Sequence, residues 1–293
     1  MGNEFPLLEP FVAFITERWN IHVRRAAGLP APWTDDEILQ AYRFCNVRRE
    51  DDRVTKWIHQ NWLRPHEGDL PGAVYAMCLA RIVNHPETLV ALGYPLKLNT
   101  AWFVQVMEAR KADGLNTFNG AYMINAVGAT KGQSKASYLA AKVLPACWAA
   151  RMDTVTALEG GSLKQAHEVL MSAHGVGTFI AAQVLADIKW TPVGLKAADW
   201  YTFAASGPGS RRGLRRLLGL PVYAGKSVFG ASEEEWNATL LRLRKAVLPK
   251  LPKELRKLDA QNLQSTLCEY DKYSRVDEGR RPKQYFKESE IAY

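Results

Sequence analysis

The sequence predicts an all-α, mostly helical fold, and three observations carry that expectation. Apolar residues recur at the i, i+3, i+4 spacing of an amphipathic helix through nearly the whole chain. Strand-like alternation is scarce. Capping signals stand where the periodic stretches begin and end.

Taken in order, Leu7, Leu8, Phe11, Phe14 and Ile15 form the first apolar stripe. Thr34 with Glu37, Ser162 with Gln165 and Ser232 with Glu235 have the spacing of capping boxes. Asn46 precedes a group in which Arg48, Arg49, Asp52 and Arg53 fall at i, i+1, i+4 and i+5. On a helix, two of these arginines would share one carboxylate and present a cationic face, suited to a phosphate or a substrate carboxylate; surface ion pairing accounts for the pattern as well. Trp102, Phe103, Val106 and Met107 make a second stripe, and Gly114 and Gly219 are placed to end helices. Stretches rich in Gly, Pro and Asn near residues 28–33, 64–72, 114–120 and 219–230 read as loops, none long enough for a free linker.

Residues 163–190 read as two helices joined at Gly175, Val176 and Gly177. Such a turn points the N–H groups of Gly175, Val176, Gly177 and Thr178 outward, where the positive end of the second helix can hold a DNA phosphate. Asp199 follows Gly175 by 24 residues in a small, apolar setting. A helix cap or an ion-pair partner is the competing reading for it. In Gly207–Arg216, Ser210 is expected to cap a helix whose first turn carries Arg211 and Arg212, so that hydroxyl, amides and guanidinium groups converge on one anion. A solvated basic helix is the alternative. Gln264, Glu269, Lys272 and Tyr273 fall on a last predicted helix.

Composition bounds the function. With 293 residues, 47% hydrophobic and 23% charged, the chain has the balance of an ordinary globular protein. A net charge of +8 suits a polyanionic partner, and the positive charge clusters at Arg211–Arg216, Arg242–Lys257 and Arg280, Arg281 and Lys283. Four cysteines lie far apart without a C-x-x-C pair, and six histidines are dispersed, so no metal site is expected and the thiols are expected reduced in the core. No apolar run is long enough for a bilayer and no secretory leader opens the chain, which points to the cytoplasm.

The Gly-Val-Gly turn and the following aspartate resemble the helix-hairpin-helix DNA glycosylases, in which two helical lobes flank a cleft, the hairpin grips the DNA backbone and the aspartate works on a flipped nucleotide. Three further stretches narrow the resemblance: FCNVRREDDRVTKWI from Phe44, AADWYTFAASGPGSRRGL from Ala197 and QSTLCEYDKYSR from Gln264. Together they resemble the bacteriophage α-glutamyl/putrescinyl thymine pyrophosphorylases, or amino acid:DNA transferases, over most of the chain. That resemblance implies a glycosylase-like unit of two lobes, supplied by the middle and C-terminal parts, with a catalytic Asp and the GPGSRR segment at residues 197–219. It implies an enzyme that displaces pyrophosphate from pyrophosphorylated 5-hydroxymethyluracil with an amino acid, glycine or another small amine, giving a hypermodified thymine.

Under the same resemblance Asp199 is catalytic, Ser210, Arg211 and Arg212 hold phosphate or pyrophosphate, and Gly175, Val176, Gly177, Thr178 and Arg215 meet the DNA backbone. Asn46, Arg48, Arg49, Asp52, Gln264, Glu269 and Lys272 are substrate-binding candidates. Its implied partners are double-stranded phage DNA, the free amino acid and a functionally linked 5-hydroxymethyluracil DNA kinase, in the cytoplasm of the infected host bacterium. Its only implied cofactor is a monovalent cation at the hairpin. Phe179 stands where bifunctional glycosylases carry a nucleophilic lysine, which disfavours Schiff-base cleavage. A monofunctional glycosylase and a non-catalytic DNA-binding module are the alternatives.

Overall fold

The computed structural model describes residues 4–119, 130, 132–222 and 232–280; Arg281, Lys283 and parts of the predicted loops at 114–120 and 219–230 lie outside them. In chain order the helices are α1 (Leu8–Ala26), α2 (Glu37–Ala41), α3 (Arg53–Ile58), α4 (Leu70–Val83), α5 (Pro86–Leu92), α6 (Thr100–Ala112), α7 (Lys135–Tyr138) and α8 (Leu144–Glu159). They continue with α9 (Leu163–Ser172), α10 (Thr178–Ile188), α11 (Pro208–Leu217), α12 (Glu233–Val247) and α13 (Ala260–Asp277). No β-strand occurs among the described residues, so the predicted all-α class is the observed one. Residues His59–Leu63 and Leu139–Val143 are wide π-helical turns, each running up to a proline, Pro65 or Pro145. A proline lacks an N–H and crowds the carbonyl four residues back, and the wide turn relieves that conflict without ending the helical path.

The chain divides into a terminal unit, Met1–Asp52 with Tyr201–Tyr293, and a middle unit, Arg53–Trp200. The N-terminal residues are thus part of the terminal unit's core: Phe11, Phe14 and Ile15 of α1 cluster with Leu240 and Leu243 of α12 and Leu263 and Leu267 of α13. The 197–219 segment crosses the division, with Asp199 in the middle unit and Ser210 in the terminal one. In the middle unit α4 is buried at every position except Pro71, as an apolar helix surrounded by others must be; α8 and α10 pack on it.

Local signals fared unevenly. Ser162 and Ser232 cap α9 and α12 as their spacing predicts, Ser232 with the reciprocal Glu235 contact. Thr34 does not cap: α2 starts at Glu37, so Asp36 is the capping residue and accepts from the Leu39 amide, while the Thr34 hydroxyl accepts from the Asp36 amide. Of the first stripe, Leu7 precedes the helix and is exposed, as is Trp102 of the second. Gly114 and Gly219 end α6 and α11 with φ of +71° and +67°, the left-handed conformation that glycine adopts without penalty. All four cysteines are free, with Cys78 and Cys147 buried, Cys268 half-buried and Cys45 exposed rather than in the core.

In the terminal unit α11 packs closely against α13. A Cβ on Gly213 would lie 2.2 Å from the Leu267 carbonyl oxygen and 2.9 Å from its carbon. Because the obstacle is backbone, Gly213→Ala has to pry the helices apart, and it should cost roughly 1–3 kcal/mol as overpacking. A urea midpoint unchanged in that variant would show that the two helices are not locked together there.

Candidate active site and nucleic-acid interface

In the middle unit, α9 and α10 form the hairpin read from the sequence. Gly175 has φ +80°, and a Cβ there would sit 2.5 Å from Cγ2 of Val143, so both backbone conformation and space demand glycine. Val176 is buried and its amide donates to the Ala173 carbonyl at 3.0 Å, which anchors the turn from beneath. Gly177 is the N-cap of α10, and no side chain caps that helix. His174 reaches Tyr138 of α7 at 3.1 Å between Nε2 and the hydroxyl, and His167 Nε2 of α9 lies 3.2 Å from the Thr178 carbonyl at the start of α10, tying the turn to α7 and its two helices to each other. The exposed turn therefore presents the positive end of α10 on a rigid base.

Asp199 sits at the start of the same hairpin. Its carboxylate accepts from the amides of Leu163 at 2.7 Å and Lys164 at 2.9 Å and from the Ser162 hydroxyl at 3.3 Å. Ser162 Oγ in turn accepts from the Gln165 amide, so Asp199 and Ser162 together satisfy the first three amides of α9. This half-buried seat of hydrogen-bond donors replaces the apolar setting expected from the sequence. The backbone on either side is pinned: the Ala198 amide donates to Gly161 O at 2.9 Å, and Trp200 Nε1 donates to the Lys189 carbonyl at 3.0 Å. The buried Lys189 ammonium lies 4.3 Å from the Trp200 ring centroid, and Trp190 meets Trp200 edge-on at 5.1 Å. These aromatic and cationic neighbours of Asp199 were missed in the sequence, although their nearness along the chain was visible.

Below the hairpin lies a buried ion cluster that sequence reasoning also missed. Arg81 Nε donates to Asp187 Oδ2 at 2.5 Å, and the same guanidinium reaches Asn84 Oδ1 and Thr55 Oγ1, each at 3.1 Å. His59 Nε2 lies 2.9 Å from Asp187 Oδ1. Burial works against the charge on Asp187, but the Arg81 guanidinium beside it outweighs burial and, with His59, holds the carboxyl well below the usual carboxylate range. Asp187 lies in the last turn of α10 and Arg81 on α4, so the cluster fixes the second hairpin helix to the central one.

The terminal unit holds the other residues singled out by sequence. Ser210 is not the cap of α11: the helix starts at Pro208, Gly207 is the capping residue, and Ser210 lies fully buried in the first turn, exchanging hydrogen bonds with the Gly207 amide and carbonyl. Gln264 Nε2 donates to Ser210 Oγ at 3.2 Å, joining two of the predicted site residues. Arg211 donates to Ser206 Oγ at 2.7 Å and to Glu233 Oε1 at 2.8 Å. Burial raises the Glu233 carboxyl, but Ser206 and Arg211 more than offset it and hold it below its usual range. Arg212 and Arg216 both bind the fully buried Asp271, at 2.8 and 3.1 Å, and Arg275 stands 3.3 Å from it. Arg215 Nε donates to the Pro221 carbonyl at 2.8 Å.

Residues 48–53 do not form the continuous helix read from their spacing. Arg48 and Asp52 are extended, with ψ of 118° and 136°, around a single 3-10 turn at Arg49–Asp51. Arg48 consequently pairs with Asp51 at 3.0 Å instead of Asp52, and stacks over Trp19. Asp52 Oδ1 accepts from the Asn46 amide, and the Arg49 amide donates to Asn262 Oδ1, both at 2.9 Å. Glu269 and Lys272 lie on α13, as predicted, 3.8 Å apart between Oε2 and Nζ. A surface cleft in this unit is walled by Glu17, Arg24, Trp33, Asp35 and Asp36, none of them a predicted site residue. Among the described residues, no cluster of three or more His, Cys, Asp and Glu could hold a metal, and no helix is long and apolar enough to cross a membrane.

With this geometry in hand, comparison with known proteins adds one decisive match: the model of a family described as "5-hmdU DNA kinase, helical domain" covers residues 6–281. The chain belongs to that family. A curated relative, a 5-hmdU DNA kinase of Bacillus phage SP10, is 25% identical over 288 residues, covering 88% of this chain and 43% of the relative. The chain thus spans less than half the length of the relative it matches. No solved structure matches. The family carries the name of a kinase, whereas the sequence blocks resembled a transferase. The chain itself has no G-x-x-x-x-G-K-[ST] phosphate loop: in the nearest run, Gly225-Lys226-Ser227, the preceding glycine is Gly219, one position too far.

Proposed function

We propose that this helical chain acts on DNA containing 5-hydroxymethyluracil, and that it transfers an amino acid to the phosphorylated base rather than phosphorylating it. The observation that carries the reading is the family match over residues 6–281, which supports a role in the chemistry of that base, and beside it stands a sequence without a phosphate loop. A helical domain borne by a DNA kinase would meet the kinase's own product, so a step consuming that product is the economical role for it.

In this reading the amine nitrogen of the amino acid bonds to the exocyclic methylene carbon as the bond from that carbon to the pyrophosphate oxygen breaks, and pyrophosphate leaves. The amine must first lose the proton it carries at neutral pH. Asp199, fixed at the start of the hairpin, is the proposed acceptor of that proton or stabiliser of the charge developing on the base. The hairpin at Gly175–Thr178 holds the DNA backbone. The flipped base then reaches Asp199 as in glycosylases.

A second reading has its own support: the three donors on Asp199 are those of a helix cap, as they would be in a DNA-binding module without catalysis. Mass spectrometry of nucleosides decides, using DNA with pyrophosphorylated 5-hydroxymethyluracil, the protein and a mixture of amino acids and polyamines. A nucleoside heavier by one amino-acid or amine residue is expected. Free base with abasic sites would instead establish a glycosylase, and unreacted DNA the binding module.

DNA binding itself should weaken steeply with salt, since each neutralised phosphate releases counterions. For roughly six phosphate contacts, affinity should fall about a thousandfold between 50 and 200 mM salt. A flat salt dependence in a fluorescence anisotropy titration would remove the polyanion from the reading.

A further inference from the structure

The terminal unit contains a buried charge cluster with unused hydrogen-bonding capacity of both signs. Arg18 of α1 is 4% exposed, and its Nη2 donates to the Cys45 carbonyl, yet its Nε and Nη1 have no hydrogen-bond acceptor. On α13, the Oε2 of Glu269 is buried and accepts no hydrogen bond. Lys272 donates to the Arg43 carbonyl and lies 4.5 Å from the Phe44 ring centroid, while Arg18 lies 5.0 Å from that of Phe14. Phe14 and Phe44 meet edge-on at 6.0 Å, so the two cations flank one aromatic pair.

Buried polar atoms without partners are few in folded proteins, because each forfeits its hydration for nothing. Here donors and an acceptor are left over within one cluster. Burial pushes the proton affinity of both Arg18 and Lys272 down, and Glu269 is the largest charge opposing that shift in each. The cluster is therefore a balanced arrangement and not a cationic hole. A phosphate would satisfy Arg18 but be repelled by Glu269, and by Asp52, which also acts on the Arg18 charge. A simple amine would leave the guanidinium unmatched.

We propose that Arg18, Glu269 and Lys272 form a binding site for a small zwitterion, with Arg18 holding its carboxylate and Glu269 its ammonium group. The choice of a free α-amino acid as that zwitterion rests on the transfer reading above; Arg18 is a residue that reading did not name. A guanidinium suits the first role because its planar N–H groups match a carboxylate in pairs. Glu269 and Lys272 reach the surface, with side chains 15% and 17% exposed.

Calorimetric titration of the full chain with glycine, serine, glutamate, acetate and putrescine tests the site. At least one of the three amino acids should bind, with acetate and putrescine at least tenfold weaker. Glu269→Gln should weaken that amino acid at least tenfold in protein that still melts cooperatively, and Arg18→Lys, which keeps the charge but loses the planar fork, should weaken it as well. Equal binding by wild type and Glu269→Gln, acetate or putrescine binding as tightly as the amino acid, or no amino acid binding at all would each overturn the site. The nucleoside assay separates this from the function: transfer product made equally well by Glu269→Gln removes the site and keeps the transferase. Amino acid bound through Glu269 without any product keeps the site and removes the transferase.

Discussion

Replacing Arg81 by methionine is expected to destabilise the protein by about 3–5 kcal/mol, the cost of stranding a buried charge. Asp187 is fully buried and takes two contacts from Arg81 and one from His59; without the guanidinium, burial acts on its carboxylate almost unopposed. The direction with pH follows from the depressed carboxyl of Asp187. Its folded value lies below the unfolded one of about 3.9, so the stabilisation is present above that pH and is lost as pH falls through and below it. The gap between wild type and Arg81→Met in urea midpoints should be widest near neutrality and narrow below about pH 4. Adding Asp187→Leu to Arg81→Met should recover much of the loss, since an apolar pair carries no desolvation penalty. A double variant no more stable than the single one would mean that the cluster matters for its shape and not for its charge.

How much of this was legible in the sequence depended on the range of the interaction. Ser162 and Ser232 cap helices that begin one residue later, a decision taken within a single turn, and the sequence reports it. Gly175 and Gly177 were legible for the same reason, since a turn between two helices leaves its mark in adjacent residues. Thr34 and Ser210 show where local reading fails. Each has capping chemistry, but a better-placed residue starts the helix: Asp36 next to Glu37, and Gly207 before a proline whose fixed φ already suits the first turn. At Arg48–Arg53 the charges have helical spacing, yet the chain is extended at both ends, and the Asn46 amide and Asn262 side chain take the contacts a helix would have used internally.

Long-range charge pairing was not legible at all. Arg81 and Asp187 are 106 residues apart, and Arg212 and Asp271 are 59 apart, with nothing in either neighbourhood to announce its partner. The consequence for function is specific. Arg211 and Arg212 looked like a site for an anion, but they and Arg216 spend charge on Glu233, Asp271 and Glu278, so α11 is in part an internal brace. Asp271 and Glu278 together face three guanidinium groups, which leaves one positive charge over. That surplus leaves the segment cationic even when braced, and it can serve both ends.

Asp199→Asn should abolish transfer while leaving the hairpin folded. An asparagine side chain has nearly the shape of aspartate, but only its oxygen accepts, so it keeps one of the two amide contacts at Leu163 and Lys164 and turns an NH2 group toward the other. What disappears is the negative charge and the capacity to take a proton. Asp199→Ala removes the cap as well and should cost about 0.5–2 kcal/mol in addition. The pair separates the cap that the geometry shows from the catalytic role proposed for the same carboxylate. If Asp199 only caps α9, Asn retains product formation and Ala loses it in proportion to folding. If Asp199 serves the chemistry, both variants lose product, Asn keeps the wild-type melting temperature within a few degrees, and both still bind DNA through the Gly175–Thr178 turn. Product formation by Asp199→Asn at the wild-type rate would rule out a proton-accepting role, and the search for the group that frees the amine would then have to move to another carboxylate.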